Sequence, residues 1–130
     1  MKTQAVVRKS DGKIMRLAFG CGRQCDFRLF MESPTRFLQG SGLLLDSGYQ
    51  GMAELHGNCA LPQKRAKGQK LSGETKRANR ELSSERIVNE HVIGRLKRFR
   101  ILAERYRNRR RRFGLRFNLI AGICNYELGA

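Results

Sequence analysis

The chain has 130 residues, of which 27 are lysine or arginine and 11 are aspartate or glutamate, so its net charge is +16. A hydrophobic content of 40% argues against a wholly disordered chain, and the length suits one small domain rather than two. No apolar stretch reaches the roughly 18 residues of a transmembrane helix, and the first residues lack the apolar region of a signal peptide, so we expect a cytoplasmic protein without a membrane partner.

Most of the positive charge lies in one stretch of the chain. Residues 63–116 contain 19 basic and 5 acidic side chains, a net charge of +14, whereas the remaining residues contribute only +2. A field concentrated in this way favours a polyanionic partner, and nucleic acid is the default choice. A membrane surface is the lesser alternative.

The first half of the chain predicts strands and one short helix. Residues 3–7 and 13–19 are expected to pair as a β-hairpin, because Ser10-Asp11-Gly12 between them is a turn signal. A short amphipathic helix is predicted from Asp26 to Met31. The remaining elements of this half are a strand at Leu43–Asp46, a helical turn at Gln50–Leu55 and a short strand at Cys59–Leu61.

The second half predicts a polar loop and two long helices. The lysine-rich loop covers about residues 63–73, and a basic helical region covers about residues 74–128. The first helix is expected from Ser72 or Gly73 to about Phe99, and the second from about Asn108 to Glu127. Their apolar stripes, which we interpret as core, are Val88, Val92, Leu96 and Phe99, and Phe113, Phe117, Ile120 and Cys124. This order of elements predicts a single α/β domain.

The four cysteines do not form a recognisable metal-binding pattern. Cys21 and Cys25 are four residues apart, and Cys59 and Cys124 are isolated. Because zinc sites need closely spaced cysteine or histidine pairs, free thiols in a reducing cytosol are the favoured interpretation.

Two acidic residues, Asp46 and Glu90, are the strongest chemical signals. Asp46 follows Leu43-Leu44-Leu45, so it lies where a buried strand ends and the chain turns. Glu90 lies on the first predicted helix, and Arg86 and Lys97 fall on nearly the same face of that helix. Carboxylates from separate elements can hold Mg²⁺, whereas arginine and lysine hold phosphate.

Each of these residues also has an ordinary structural interpretation. Asp46 before Ser47-Gly48 could be only a turn residue. Glu90 could form a helix ion pair with Arg86, worth about 0.2–0.5 kcal/mol. The arginines at 107 and 109–112 could be only a solvated basic face, although such a run repels itself unless a polyanion screens it.

The same segments carry a resemblance to a known family. The stretch D-S-G-Y-Q-G at Asp46–Gly51 resembles the second-aspartate motif of DDE transposases, and E-R-I-V-N-E-H-V-I-G-R-L-K at Glu85–Lys97 resembles their glutamate motif. Further similar segments are Phe19–Phe30, R-F-R-I-L-A-E-R-Y-R-N-R-R after Lys97, and N-Y-E-L at Asn125–Leu128. The chain is similar to bacterial insertion-sequence transposases in the branch that includes Harbinger-type elements.

The resemblance implies a fold, a chemistry and a partner. It implies an RNase H-like domain that cleaves and joins DNA with Mg²⁺ or another divalent metal, with transposon ends as the substrate. Asp46 and Glu90 would be catalytic residues and metal ligands. The DNA-binding residues would be Arg86, Lys97, Arg107, Arg109, Arg110, Arg111 and Arg112. Association with the nucleoid through DNA would follow.

The sequence departs from the family pattern in one important way. The family's first catalytic aspartate lies on a strand upstream of a hairpin like that at residues 3–19, and neither Asp11 nor Asp26 has that context. We therefore expect an incomplete, N-terminally truncated RNase H-like catalytic domain that is inactive alone. A separate N-terminal transposase fragment or a homo-oligomer would be a possible partner. The alternative function is that of a non-catalytic basic protein that binds nucleic acid.

Overall fold

The computed structural model describes residues 1–103 and 110–129 and shows a mixed α/β protein. Two short 3-10 helices lie at Ser47–Tyr49 and Arg110–Arg112. The strands are β1 (Lys2–Val7), β2 (Ile14–Gly20), β3 (Leu43–Leu44) and β4 (Cys59–Ala60). The helices are α1 (Asp26–Glu32), α2 (Met52–Leu55), α3 (Gly73–Glu85), α4 (Ile87–Leu96), α5 (Arg100–Ala103) and α6 (Phe113–Gly129).

The chain divides into two compact units. The first unit consists of Met1–Arg23 with Val88–Ala130, and the second consists of Gln24–Ile87. No helix in residues 1–103 or 110–129 combines the length and the apolar character that crossing a membrane requires. That the two units belong to one catalytic domain is a prediction from the sequence, which this division does not test.

The predicted hairpin is confirmed in the first unit. Strands β1 and β2 pair in antiparallel fashion, with Lys2 opposite Gly20 and Val7 opposite Ile14. The turn between them needs glycine at position 12, because Gly12 has φ +74°, a conformation that side chains with a Cβ rarely adopt. Asp11 stabilises the same turn, since its carboxylate accepts hydrogen bonds from Arg8 Nη2 at 2.6 Å and from the Lys13 amide at 3.0 Å.

The core of the first unit lies where the hairpin packs against α4 and α6. Its buried members are Ile14, Val92, Leu96, Ile120, Ala121 and Cys124. The two apolar stripes predicted from the sequence are confirmed for most of their members. Four of these residues belong to the core, Phe99 and Phe117 pack against it, and Phe113 is buried. Phe19 of β2 contacts the ring of Phe113 edge-on and the ring of Phe117 at a tilt, at centroid distances of 5.5 and 5.6 Å.

Asn125 of α6 joins the helix to the hairpin through the backbone. Its side-chain Oδ1 accepts a hydrogen bond from the Ile14 N–H, and its Nδ2 donates one to the Ile14 carbonyl, both at 2.8 Å. One amide side chain therefore satisfies both the N–H and the carbonyl of Ile14, a buried strand residue. Without Asn125, these two backbone groups would lack partners on this side of the hairpin.

The second unit is built around α1 and a short parallel pair of strands. Leu29 and Phe30 of α1 are buried, and Phe30 stacks on Phe37 at a centroid distance of 6.0 Å. Strand β3 pairs with β4, so that Leu43 lies opposite Cys59. The helix start predicted near Ser72 is confirmed, because the Ser72 hydroxyl caps α3 by accepting a hydrogen bond from the Thr75 amide at 3.2 Å.

The prediction of one long helix from about residue 73 to Phe99 is wrong. Helix α3 ends at Glu85, and Arg86 adopts φ −83° and ψ −1°, well away from the helical ψ of about −42°. Helix α4 then ends at Leu96, and the chain turns before α5. The periodicity of apolar residues did not reveal the break, because the stripe from Val88 onward lies entirely beyond it.

We predict that Asn125→Ala lowers the free energy of unfolding by about 1–3 kcal/mol, because it leaves the Ile14 N–H and carbonyl without their partners. Asn118→Ala is the matched control, since the exposed Asn118 amide donates to the Gly114 carbonyl one turn earlier in the same helix and has no other partner among the described residues. The control should change the free energy by less than about 0.5 kcal/mol. Urea unfolding of the two variants makes the comparison, and equal losses would contradict the role assigned to Asn125.

Candidate functional site

The strand predicted at Leu43–Asp46 is shorter in the structure, because β3 covers only Leu43–Leu44 and Asp46 lies two residues beyond it. The pairing with β4 continues one residue past β3, since the Leu45 amide donates to the Ala60 carbonyl at 3.0 Å. Asp46 then caps the 3-10 helix at Ser47–Tyr49, and its Oδ1 accepts a hydrogen bond from the Ser47 amide at 2.7 Å. The cap orients the Asp46 carboxylate.

Arg86 forms an ion pair with Asp46. The distance from Arg86 Nη1 to Asp46 Oδ1 is 2.9 Å, and the exposed fraction is 24% for the arginine side chain but 63% for the aspartate. Within the described residues, the buried Nε of Arg86 has no hydrogen-bond partner. The structure therefore brings together the predicted catalytic aspartate and one predicted phosphate-binding residue, with the carboxylate open to solvent.

The surroundings keep the Asp46 carboxylate ionised. Partial burial raises its pKa, but the hydrogen bond from the Ser47 amide and the Arg86 guanidinium act in the opposite direction, and the net pKa lies below the usual value. An ionised, exposed carboxylate is the form that binds a divalent cation. The chemistry of Asp46 therefore fits the metal that the sequence motif implies.

The turn after Asp46 packs closely on the start of α1. A Cβ at Gly48 would collide with the carboxylate of Asp26, whose Cγ lies 3.1 Å from that position, and a Cβ at Gly51 would lie 2.7 Å from the ring of Phe27. The two glycines of D-S-G-Y-Q-G are thus required by steric contact. They allow the segment that carries Asp46 to lie directly against α1.

The charges of two carboxylates, Asp26 and Asp46, act on Tyr49. Burial and, to a lesser extent, these negative charges together raise the pKa of its hydroxyl to about 12. Sequence reasoning assigned Asp26 no role, and no spacing in the sequence relates residue 26 to residue 46. The two glycines of the motif were the sequence signal for the contact with α1, because glycine is typical where another part of the chain approaches a turn closely.

Glu90 and Lys97 belong to the first unit. Glu90 is exposed on α4. Lys97 follows α4 at the edge of a cavity of about 250 Å³, which Thr3, Asn89 and Phe117 also line. That Asp46 and Glu90 share metal ions stays a prediction, because they lie in different units.

The prediction that Arg86, Glu90 and Lys97 share one face of a single helix is wrong. Arg86 lies between α3 and α4, and Lys97 lies past the end of α4, so only Glu90 is on a regular helix. The reason is the break at Arg86, whose guanidinium is paired with Asp46. Among residues 1–103 and 110–129, no group of three histidine, cysteine, aspartate or glutamate side chains is arranged to hold a metal ion.

The predicted cluster of arginines at 107 and 109–112 lies only partly within the described residues. Arg110, Arg111 and Arg112 form the 3-10 helix before α6, and the side chains of Arg111 and Arg112 are exposed. Arg107 and Arg109 lie outside the described residues. The described arginines therefore present positive charge at the start of α6.

Comparison with known proteins decides the family. A model of the family described as DDE superfamily endonuclease matches residues 1–125. The chain belongs to this family. It is 52% identical over 128 residues to the protein named "Probable transposase for insertion sequence element IS702" from Microchaete diplosiphon. No solved structure matches the chain.

The comparison confirms the resemblance to DDE transposases of insertion sequences. The alignment with the Microchaete protein covers 98% of this chain and 46% of that protein, so the chain spans about half the length of the relative. The DDE endonuclease superfamily typically uses a divalent metal. Residues 46 and 90 both fall within the matched range, in the segments that resemble the aspartate and glutamate motifs.

We predict that Arg86→Gln raises the pKa of Asp46 toward the ordinary value of about 3.9, because the guanidinium no longer favours the ionised carboxylate. Since the folded pKa is depressed, the pair stabilises the fold at neutral pH, and that contribution is lost as the pH falls through the folded pKa of Asp46. The difference in unfolding free energy between wild type and variant should therefore shrink below about pH 4.

Carboxyl-resolved NMR titration and urea unfolding at several pH values provide the measurements. Arg28→Gln is the matched control, since Arg28 pairs with Glu32 at 2.9 Å in the same unit. That control should raise the pKa of Glu32 and leave Asp46 unchanged. An Asp46 titration that ignores Arg86→Gln would show that the ion pair does not form in solution.

Proposed function

We propose that this chain is the part of a DNA transposase that carries two acidic residues of its metal-dependent site, Asp46 and Glu90. The observation that carries the proposal is the family match over residues 1–125, which includes both residues within their motifs. The ion pair between Asp46 and Arg86 supports it, because it joins a carboxylate to a phosphate-binding group in one place. The name of the 52% identical relative supports the same class of reaction.

In this proposal Asp46 and Glu90 would hold divalent metal. Metal ions in such sites activate the attacking oxygen and stabilise the leaving oxygen of a phosphodiester. The Ser47 amide and Arg86 keep Asp46 ionised and oriented before any cation arrives. Glu90 is placed in the same site because it lies in the segment that resembles the glutamate motif, and not because of a distance between Glu90 and Asp46.

Arg86 would have a second role, toward DNA. Its guanidinium is partly exposed and contacts a single carboxylate oxygen through Nη1, and a guanidinium offers five donors in a planar fork. A phosphate that approached Asp46 could therefore share the same arginine. Lys97 would be a second phosphate contact, and the basic side chains between residues 63 and 116 would bind the DNA on either side.

The finer identity of the fold is also a proposal. We infer that the hairpin, the β3–β4 pair and the helices belong to a single RNase H-like domain, because the family resemblance extends across all of them. Within these 130 residues we assign no counterpart to the family's first aspartate, so catalysis by this polypeptide alone should be weak or absent. Its substrate would be transposon-end DNA, and its location the nucleoid.

We predict that the chain binds duplex DNA with little sequence preference and with strong salt dependence. If about six phosphates are neutralised, log K should fall with log salt at a slope of about −5. Replacing Arg111 and Arg112 together by glutamine should reduce the magnitude of that slope by roughly 2, because both side chains are exposed. Fluorescence anisotropy with a labelled duplex measures both quantities.

The matched control replaces Arg8 and Arg28 by glutamine. Each of these arginines is already paired with an acidic neighbour, Arg8 with Asp11 at 2.6 Å and Arg28 with Glu32 at 2.9 Å. The control should leave the slope nearly unchanged. Binding that does not respond to salt would refute an electrostatic DNA interface.

The catalytic proposal is tested by complementation. With Mg²⁺ or Mn²⁺ we expect no cleavage of transposon-end DNA by the 130-residue chain alone. Adding a polypeptide that supplies the family's first strand and its aspartate should restore cleavage, and Asp46→Asn or Glu90→Gln should then reduce it by roughly a hundredfold or more.

Two controls make this experiment specific. Glu32→Gln removes an exposed carboxylate of α1 and should leave the restored activity intact. DNA binding by each variant should stay within about twofold of wild type, which separates lost chemistry from lost affinity. Turnover that survives Asp46→Asn would mean that the site lies elsewhere. Binding without turnover under every complementation would favour the non-catalytic nucleic-acid-binding alternative.

A further inference from the structure

The side chain of Asp26 lies against the turn that carries Asp46. Asp26 is in the first turn of α1, and Cys25 before it makes no side-chain cap hydrogen bond. The Cγ and Cβ of Asp26 lie 3.1 and 3.2 Å from the position that a Cβ of Gly48 would occupy. Gly48 is the middle residue of the 3-10 helix at Ser47–Tyr49, which Asp46 caps. Asp26 therefore packs on the backbone that orients Asp46.

The glycine at position 48 is required by this contact and not by the conformation of the turn. Gly48 does not have the positive φ that Gly12 has, so a residue with a Cβ could adopt its backbone conformation. The three atoms nearest to an added Cβ all belong to Asp26. The steric restriction on residue 48 therefore comes from the Asp26 side chain.

The turn that begins at Asp46 is held from two sides. Before the turn, the Leu45 amide donates to a carbonyl of β4 at 3.0 Å. After it starts, the chain packs on Asp26 through Gly48. The Tyr49 amide closes the turn by donating to the Asp46 carbonyl at 3.0 Å. A shift at Gly48 would therefore be transmitted to Asp46.

Charge gives the Asp46 carboxylate a direction. The negative charges of Asp26 and Asp46 both act on Tyr49, so both carboxylates lie near that side chain. They repel each other, whereas Arg86 attracts Asp46 across 2.9 Å. The Asp46 carboxylate is thereby directed away from α1, and it is 63% exposed to solvent. A second negative charge nearby also strengthens the attraction for a cation.

We propose that Asp26 is a positioning residue for Asp46, which fixes the turn through Gly48 and directs the Asp46 carboxylate outward to meet a divalent cation. Asp26 is neither a ligand nor the family's first aspartate in this proposal. The role of the cation rests on the proposed function, whereas the orientation of Asp46 does not.

NMR spectroscopy of the labelled 130-residue chain tests the orientation without any metal. The three-bond couplings between the α and β protons of Asp46 report its side-chain rotamer. We expect one rotamer in the wild type and averaging in Asp26→Asn, which keeps the shape of the side chain and removes its charge. Glu32→Gln, at an exposed carboxylate of the same helix, is the matched control and should keep one rotamer. Averaging in the wild type, or a single rotamer in Asp26→Asn, would overturn the proposal.

Mn²⁺ alone is the probe for the cation. Paramagnetic broadening of the Ser47 amide signal reports binding, because that amide donates to the Asp46 carboxylate at 2.7 Å. Asp26→Asn should weaken Mn²⁺ binding roughly tenfold, as expected when a residue that orients a metal ligand is replaced. The Glu32→Gln control should stay within about twofold of wild type. Equal affinity in wild type and Asp26→Asn would overturn the proposal. If the wild type shows no broadening, the metal role of Asp46 fails, whereas rotamer averaging in Asp26→Asn still supports the positioning role.

Substitutions at Gly48 separate positioning from stability. Gly48→Ala should lower the urea midpoint of unfolding, because the new Cβ collides with Asp26. Asp26→Ala/Gly48→Ala should regain most of that loss, since the collision is removed, yet bind Mn²⁺ roughly tenfold more weakly than wild type. An equal loss of stability from Gly48→Ala with and without Asp26 would contradict the contact. Recovery of Mn²⁺ affinity together with stability in the double variant would overturn the positioning role.

Discussion

The first unit depends on the contact between α6 and the hairpin. Two strands alone are marginal in water, so β1 and β2 need an apolar surface to pack against. Helix α6 provides that surface through Phe113, Ile120 and Cys124, and Asn125 supplies the polar half of the contact. Because the Asn125 amide satisfies both backbone groups of Ile14, the strand is held in one register relative to the helix.

Asp46 has a structural role in the fold that leaves its carboxylate accessible. Its carboxylate caps a 3-10 helix, pairs with Arg86 and is still 63% exposed. The turn interpretation and the site interpretation of Asp46 are therefore compatible, because capping uses a single oxygen and leaves the group open to solvent. Steric contact with Asp26 and Phe27 holds the following glycines in place, which limits the positions that Asp46 can take.

The distribution of charge separates two kinds of surface. Exposed arginines precede α6, whereas α6 itself is neutral and carries exposed apolar side chains, namely Leu115, Leu119, Ile123 and Tyr126. A basic surface attracts DNA over a distance set by the ionic strength, whereas an apolar face acts only on contact.

The sequence by itself determined the local elements and the family. These features depend on residues close together in the sequence. The structure confirms the hairpin around Ser10-Asp11-Gly12, the strand before Asp46 and the apolar stripe of Phe113, Ile120 and Cys124. Only tertiary structure decided where the helix breaks and which groups pair. Arg86 leaves the helix and binds Asp46, forty residues earlier, and Asp26 lies against Gly48. Such contacts join residues distant in sequence, and the periodicity of a single segment carries no information about them.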